Sequence, residues 1–222
     1  MATLLEIYQR LSSRYGQARK LSAASPLERF VGAVLAPQTS VARVEEALAN
    51  LRDAGVLDPG ALAGLAPAEL EELIRPVGHV RVKAQRLRKL LKFFEQHYAS
   101  SLEDMFAADR QTLRTELQAM NGIGPETADT ILLYGGNLPS YVVDTHANRV
   151  LKRHGLLEFE ADYQEVQEYV EYSIDRDPAL FRELHALLAR VGAEHCGKTP
   201  DCEDCPLAEL LPESGPLEPP EL

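Results

Sequence analysis

The chain has 222 residues, of which 45% are apolar and 26% are charged, a composition typical of a globular protein rather than a disordered one. No apolar run is long enough to cross a membrane, and the N-terminus lacks the features of a signal peptide, so we expect a cytoplasmic protein of one domain or two small lobes. The net charge of −11 argues against strong electrostatic attraction to nucleic acid, but seven of the acids lie in residues 201–222, which contain no Lys or Arg.

Helix-start signals recur along the chain. Ser25-Pro26-Leu27-Glu28 has the pattern of a capping box with proline at the first helical position. The same proline signal occurs at four further places: Asp58-Pro59, Ala66-Pro67, Gly124-Pro125 and Asp177-Pro178. Only Tyr141-Val142-Val143 indicates extended chain, so the sequence predicts an all-α fold.

Residues 80–98 are predicted to form a long helix with one apolar stripe and basic residues on its other faces. The apolar residues recur at steps of three and four: Val80, Ala84, Leu87, Leu91, Phe94 and Tyr98. Residues 75–92 carry seven basic side chains and no acid. We therefore predict a local basic face, including Arg81 and Lys83, that contacts phosphate groups.

A short glycine turn, Gly122-Ile123-Gly124, separates two helical patterns. Glycines allow a sharp turn with uncovered backbone N–H groups, and Pro125 suits the first turn of the following helix. Such a turn can hold a phosphate, although many similar turns only connect two packed helices.

Asp144 lies about twenty residues further on, between an extended segment and a helical pattern. A carboxylate in this position can take part in the cleavage of a glycosidic bond. It can also be an N-cap that accepts hydrogen bonds from the following helix, and the two roles are compatible.

The three cysteines, Cys196, Cys202 and Cys205, lie within ten residues of one another. This spacing is not that of a disulfide framework spread through a secreted fold, and it indicates a metal site or the remnant of one.

Together these motifs resemble the helix-hairpin-helix DNA glycosylase superfamily, in particular its endonuclease III-like members, over roughly residues 27–205. The resemblance implies two helical lobes with the active cleft between them. One lobe would comprise residues 22–134 and contain the hairpin, and the other residues 1–21 plus 135–211. Residues 212–222 are rich in proline and acids and are predicted to form a mobile acidic tail.

The resemblance also implies a function in base excision repair and a set of site residues. The partner would be double-stranded DNA with a damaged or mismatched base, bound by a monomer. The hairpin residues Gly122, Ile123, Gly124 and Thr127 would bind the DNA backbone, Gln38 would enter the space left by the flipped base, and His79 would be a wedge on the opposite side. Asp144 would stabilise the sugar cation and activate the nucleophile.

Glu126 occupies the position of the reactive lysine of the lyase members. Because a carboxylate cannot form a Schiff base, we predict a monofunctional enzyme that uses water, with Glu126 and Asp144 in the catalytic site. Glu126 could instead interact favourably with the dipole of the following helix, or it could contact the base. Two alternatives remain: a bifunctional glycosylase and lyase with a relocated amine (Lys83, Lys89, Lys92 or Lys152), and a catalytically inactive DNA-structure-binding protein.

Endonuclease III relatives hold a 4Fe-4S cluster with four cysteines, and the position of the fourth is Leu211 here. The resemblance therefore implies a 4Fe-4S cluster with three cysteine ligands. Candidates for a fourth ligand are nearby: His195, Asp201, Glu203 and Glu209. Zinc, or loss of the metal, is the alternative.

The substrate base is left open by the motifs. The Gly-Pro-Glu-Thr-Ala-Asp segment resembles the 3-methyladenine branch of the superfamily, whereas Asp-Thr-His is closer to the thymine-glycol and mismatch branches.

Overall fold

The computed structural model describes residues 3–16 and 25–219, and within these residues it is helical and contains no strand. One isolated β-bridge joins Cys196 to Pro200. The all-α fold class predicted from the sequence is confirmed. Among the described residues, no helix is both long and apolar enough to cross a membrane.

The helices of the described chain are, in order, α1 (Leu4–Tyr15), α2 (Pro26–Leu35), α3 (Val41–Asp53), α4 (Pro59–Gly64), α5 (Pro67–Leu73), α6 (Val80–Tyr98), α7 (Leu102–Ala107), α8 (Arg110–Gln118), α9 (Pro125–Thr130), α10 (Thr145–Arg153), α11 (Tyr163–Ser173) and α12 (Pro178–Glu194). Two 3₁₀ turns, Arg75–Val77 and Ala208–Leu210, and a π-helical turn, Ile131–Gly135, complete them. Every predicted proline start coincides with a helix N-terminus, because proline lacks the N–H that a first turn leaves unbonded.

The chain divides into two compact units. We call Leu21–Leu138 the hairpin unit, and Met1–Lys20 together with Pro139–Leu222 the aspartate unit. The boundary that the sequence places between residues 134 and 135 lies four residues earlier than the one after Leu138. The segment up to Leu138 stays with the hairpin unit because the Leu138 N–H donates to the Leu132 carbonyl at 2.9 Å. The other boundary, near residue 21, lies outside the described residues.

The hairpin unit has a continuous apolar core built on α2 and α6. Phe30 of α2 packs against Phe94 of α6 with ring centroids 5.9 Å apart. The predicted stripe of α6 contributes Ala84, Leu87 and Leu91 to this core, all buried. Each fully buried leucine or phenylalanine stabilises the fold by roughly 1.5–3 kcal/mol, so α6 is held firmly by its apolar side.

The aspartate unit is organised around α12. Its apolar side chains Phe181, Leu184 and Leu188 are fully buried, and Tyr141 packs edge-on against Phe181 at 5.7 Å. Helix α1 packs on α12, and the Tyr15 hydroxyl donates to the Glu194 carboxylate at 2.8 Å. Helix α10 also packs against α12.

Residues 212–219, part of the segment predicted to be a mobile tail, make contacts within the aspartate unit. The Leu217 N–H donates to the Arg153 carbonyl at 3.0 Å, and the Arg153 guanidinium donates to Glu218 at 3.1 Å. Composition alone does not predict this, because the buried arginine that pairs with the tail lies 65 residues earlier. Residues 220–222 lie outside the described residues.

Candidate active site

The glycine hairpin is a tight turn between α8 and α9 in which each residue has a different role. Gly122 has φ +91°, a conformation that favours glycine. Gly124 is extended (φ −86°, ψ 177°), and a Cβ at this position would meet no atom within 4 Å. Packing therefore does not require a glycine at position 124, and the absence of a side chain leaves the backbone open to a ligand.

The side chains of Ile123 and Thr127, two residues predicted to bind the DNA backbone, point into the protein. The Ile123 side chain is buried, and its N–H donates to the Met120 carbonyl at 3.0 Å. Thr127 is buried in α9. Both side chains lie on the inward face of the hairpin, because the apolar core continues on either side of the turn. Their side chains anchor the hairpin and do not offer contacts to DNA.

A buried ion pair joins the two helices of the hairpin. Arg114 of α8 donates to both carboxylate oxygens of Asp129 of α9, at 2.8 and 3.0 Å. The side chains are 8% and 0% exposed, so the pair is removed from solvent. Lys89 of α6 adds a further hydrogen bond to the hairpin by donating to the Asn121 carbonyl at 3.3 Å. Neither Arg114 nor Asp129 was predicted from the sequence, where each is one of several charged residues in a short helix.

Glu126 lies in the first turn of α9 and is partly buried. Burial lowers the pKa of Arg86 on α6, whereas the Glu126 carboxylate acts to raise it. The two opposite charges are therefore close enough to interact. Glu126 therefore has a cationic neighbour in addition to its position at the helix N-terminus.

Gln38 and His79, the predicted plug and wedge, are exposed at the tips of two loops of the hairpin unit. Both have positive φ angles, 56° and 46°, although neither is a glycine. Such conformations cost about 1 kcal/mol each and persist only where surrounding contacts impose them. The two side chains are thus held outward by their loops.

Asp144 is the N-cap of α10, as one of the two predicted roles required. Its Oδ1 accepts from the Ala147 N–H at 2.7 Å, which fixes the orientation of the carboxylate. The preceding segment is pinned as well, because the Tyr141 N–H donates to Glu171 at 2.9 Å and the Tyr141 carbonyl accepts from Gln167 at 2.6 Å. The side chain of Asp144 remains 19% exposed.

The second oxygen of Asp144, Oδ2, faces the partly buried His185 of α12 at 3.6 Å from Nε2. Burial lowers the pKa of His185, and the nearby His146 lowers it further, whereas Asp144 raises it. His146 packs against Gly192, where a Cβ would come within 2.6 Å of the histidine Cβ. His185 was not predicted from the sequence, because its position 41 residues after Asp144 carries no local signal.

Comparison with known proteins places these features in one family. Residues 31–175 match the HhH-GPD superfamily of base excision DNA repair proteins. A Methanocaldococcus jannaschii protein that bears the name of a DNA repair glycosylase is 36% identical over 93% of this chain and 94% of its own length. The chain belongs to the HhH-GPD superfamily.

Two solved structures of DNA glycosylases have the same fold as this HhH-GPD protein. An endonuclease III in a trapped covalent intermediate with DNA superimposes with a TM-score of 0.76 at 26% identity, over 95% of this chain and 96% of that one. The H. pylori 3-methyladenine DNA glycosylase MagIII, bound to 1,N6-ethenoadenine, gives 0.73 at 25% identity, over 87% and 98%. The predicted family and its assignment to base excision DNA repair are confirmed.

The basic helix α6 of this HhH-GPD protein is less uniform than its sequence predicted. Arg81 is exposed, with 86% of its side chain accessible and Glu71 3.9 Å away. Lys83, predicted to contact DNA, is buried, and its Nζ donates to the carbonyls of Leu35 and Val77 and to the Thr39 hydroxyl. It points inward because it lies on the same face of α6 as Ala84 and Leu87. The predicted phosphate-binding surface of α6 therefore excludes Lys83.

The three cysteines of this HhH-GPD protein line one cavity together with His154, His195 and Leu211. Arg153 donates to the Cys196 Sγ at 3.5 Å, and burial raises the pKa of the Cys202 and Cys205 thiols. Within residues 3–16 and 25–219, no three His, Cys, Asp or Glu side chains are arranged to hold a metal ion. The three thiols thus line one cavity without forming a metal-binding arrangement, and Leu211 supplies no fourth donor.

Proposed function

We propose that this HhH-GPD protein is a monofunctional DNA glycosylase, which acts as a cytoplasmic monomer on duplex DNA containing a damaged or mismatched base. The observation that carries the proposal is the carboxylate of Asp144. Its Oδ1 is fixed by the α10 N-terminus, its Oδ2 faces His185, and its side chain is still partly exposed. A carboxylate held in this way is preorganised to face positive charge that develops on a sugar.

The proposed reaction is hydrolysis of the N-glycosidic bond. Water attacks the sugar carbon while the bond to the base breaks, and the base leaves with the bonding electrons and takes up a proton from solvent. Asp144 stabilises the cationic sugar and accepts the proton of the attacking water. His185 supports this role, because burial lowers its pKa and keeps the imidazole neutral at neutral pH. The negative charge of Asp144 is then not cancelled by an imidazolium.

The absence of strand cleavage is proposed from Glu126 and from the contacts of three of the four candidate lysines. Glu126 cannot form the Schiff base through which a lyase acts. Of the lysines that could replace the missing amine, Lys83 has three acceptors in the protein. Lys152 donates to the carbonyls of Phe159 and Ala161 at 2.9 and 2.7 Å, and Lys89 donates to Asn121. An amine in such contacts is poorly placed to attack a sugar.

The proposed contacts with DNA are made by the hairpin backbone, by exposed basic residues and by the two loops that carry Gln38 and His79. The open backbone at Gly124 can receive a phosphate oxygen, and Arg81 adds a charge that is accessible to solvent. Gln38 and His79 are proposed to fill the space that a flipped base leaves. These contacts position the duplex.

The test of the proposed function is base release from duplexes that carry one lesion each: 3-methyladenine, thymine glycol, uracil opposite guanine, or thymine opposite guanine. Alkali is added to half of each sample to reveal abasic sites. We expect product bands for at least one lesion only after alkali. Asp144→Asn, which retains much of the cap but lacks the charge, should lower the single-turnover rate by about a thousandfold, the order found when a preorganised electrostatic group is removed.

Other outcomes point to the alternatives. Strand cleavage without alkali, together with a borohydride-trapped adduct on abasic DNA, would identify a bifunctional lyase. Binding without base release on any lesion would identify a DNA-structure-binding protein. An Asp144→Asn variant as active as the wild type would refute the mechanism. Glu126→Lys is the matched gain-of-function control, because it restores the amine at the same position.

We also propose that Cys196, Cys202 and Cys205 bind an iron–sulfur cluster whose fourth ligand is not a cysteine. Three thiols around one cavity support this proposal. When bound, such a cluster would act as a structural cross-link of the loop. Iron and acid-labile sulfide in the purified protein, with visible absorbance that is lost in Cys205→Ser, are the expected results. Zinc, or no metal at all, would refute it.

A further inference from the structure

The two outward loops of the hairpin unit share one internal contact. The first loop follows α2 and carries Gln38; the second precedes α6 and carries His79. Lys83 contacts the base of both loops, since its Nζ donates to the carbonyl of Leu35, the last residue of α2, at 2.9 Å and to that of Val77, the last residue of the 3₁₀ turn, at 3.2 Å. It also donates to the Thr39 hydroxyl, which itself donates to the Val77 carbonyl at 3.0 Å. The acceptors lie on both sides of Gln38 and just before His79.

A lysine suits this position because an ammonium has three N–H donors and there are three acceptors. All three are neutral oxygens, and Lys83 is only 4% exposed. Burial lowers the pKa of Lys83 to about 8, so the amine is still mostly protonated at neutral pH. Burying this charge without a carboxylate costs stability, which an apolar residue of similar size would avoid. The stability of the fold does not explain the lysine, whereas holding the loops does.

The conformations of the two loop tips also require an external constraint. Gln38 and His79 both have positive φ angles and exposed side chains. A loop without a constraint would relax toward negative φ, and the side chain would then point elsewhere. The Lys83 contacts supply the constraint at the base of both loops, within a single unit of the fold.

We propose that Lys83 is a positioning residue that ties the Gln38 loop to the His79 loop, so that both side chains enter the same DNA duplex at a fixed spacing. This inference rests on the proposed function. It assigns Lys83 an internal role in recognising an extrahelical site, in place of the phosphate contact that its sequence position predicted. Lys83 acts through Gln38 and His79 and does not touch DNA itself.

The inference predicts a loss of discrimination between lesion and intact DNA. In Lys83→Met, the loops must be ordered during binding, which costs conformational entropy for each immobilised side chain. Affinity for a duplex with a stable abasic analogue should fall about tenfold, the factor that corresponds to 1.4 kcal/mol. Affinity for the undamaged duplex should change less than about twofold, since phosphate contacts dominate nonspecific binding. In the wild type, binding should increase the fluorescence of a 2-aminopurine placed opposite the analogue, and this increase should be largely lost in Lys83→Met.

Two further variants separate positioning from general damage. Thr39→Val removes one acceptor of Lys83 and should lose discrimination in the same direction but to a smaller extent, which keeps the test valid if Lys83→Met folds poorly. Lys92→Met removes an exposed charge from the same helix and should weaken binding to both duplexes equally. Adding Lys83→Met to the double variant Gln38→Ala/His79→Ala should have no further effect, because the lysine acts through these residues.

Wild-type discrimination in both Lys83→Met and Thr39→Val would overturn the inference, as would a full additional loss of affinity on top of the double alanine variant. The binding assay involves no base release, so these results leave the proposed function intact. A wild-type protein that does not distinguish the abasic analogue from intact DNA would overturn the proposed function and this inference together.

Discussion

The buried pair of Arg114 and Asp129 gives a sharp prediction about the hairpin. Replacing Arg114 with methionine keeps the apolar stem and removes the guanidinium, which leaves the fully buried Asp129 carboxylate without its bidentate partner. Removing one member of a buried ion pair typically costs about 3–5 kcal/mol, because the remaining charge stays out of water. A domain is stable by roughly 5–15 kcal/mol, so the hairpin unit should be severely weakened.

The assay is urea unfolding of the full chain followed by circular dichroism, with hydrogen exchange of peptides from residues 110–130 to report on the hairpin itself. Arg114→Met should lower the free energy of unfolding of the hairpin unit by about 3–5 kcal/mol and remove protection from α8 and α9. Affinity for undamaged duplex should fall with it, because the loop at Gly122 loses its support.

Two control variants decide whether the buried charge is the cause. Arg114→Met/Asp129→Leu replaces both partners with apolar residues and should recover most of the lost stability, since no unpaired charge is left. Arg43→Met, at an exposed position of α3, should change stability by less than about 0.5 kcal/mol. A single Arg114→Met variant within about 1 kcal/mol of the wild type would refute the reasoning.

Two other predictions follow from single features. Burial lowers the pKa of Lys83 to about 8, and the charge of Arg86 acts in the same direction, whereas an unfolded lysine titrates near about 10.4. The unfolded chain therefore binds more protons than the folded chain between these pH values, so stability rises with pH. The free energy of unfolding of the wild type should increase by up to about 3 kcal/mol relative to that of Lys83→Met as pH rises from 8 to 10.5. Parallel pH profiles of the two proteins would contradict this. Gly122→Val forces a β-branched residue to φ +91° at a cost of about 1–2 kcal/mol, and should weaken duplex binding about tenfold in fluorescence anisotropy. Gly122→Asn tolerates this conformation better and should lose less, so equal losses would show that φ is not the cause.

The sequence alone determined the features that depend on neighbours within one turn of helix. Ser25 caps α2 and Asp144 caps α10, since each cap bonds an N–H three residues further on. The helix starts at prolines were recognisable for the same reason. The turn at Gly122 was recognisable because glycine permits a positive φ angle. The two motifs most specific to the family, the hairpin and the aspartate segment, are local in this sense, and for that reason the amino-acid sequence was enough to predict the fold class and the reaction class.

Tertiary structure decided which side of each helix is buried and which charges meet. Lys83 and Arg81 are two residues apart on α6, yet one is enclosed by loops from elsewhere in the hairpin unit and the other is exposed. Thr127 and Ile123 turned inward for similar reasons, and Asp144 gained His185 from a helix that begins 34 residues later. Burial and pKa depend on residues that are distant in sequence, so local patterns predict the reaction but not the groups that tune it.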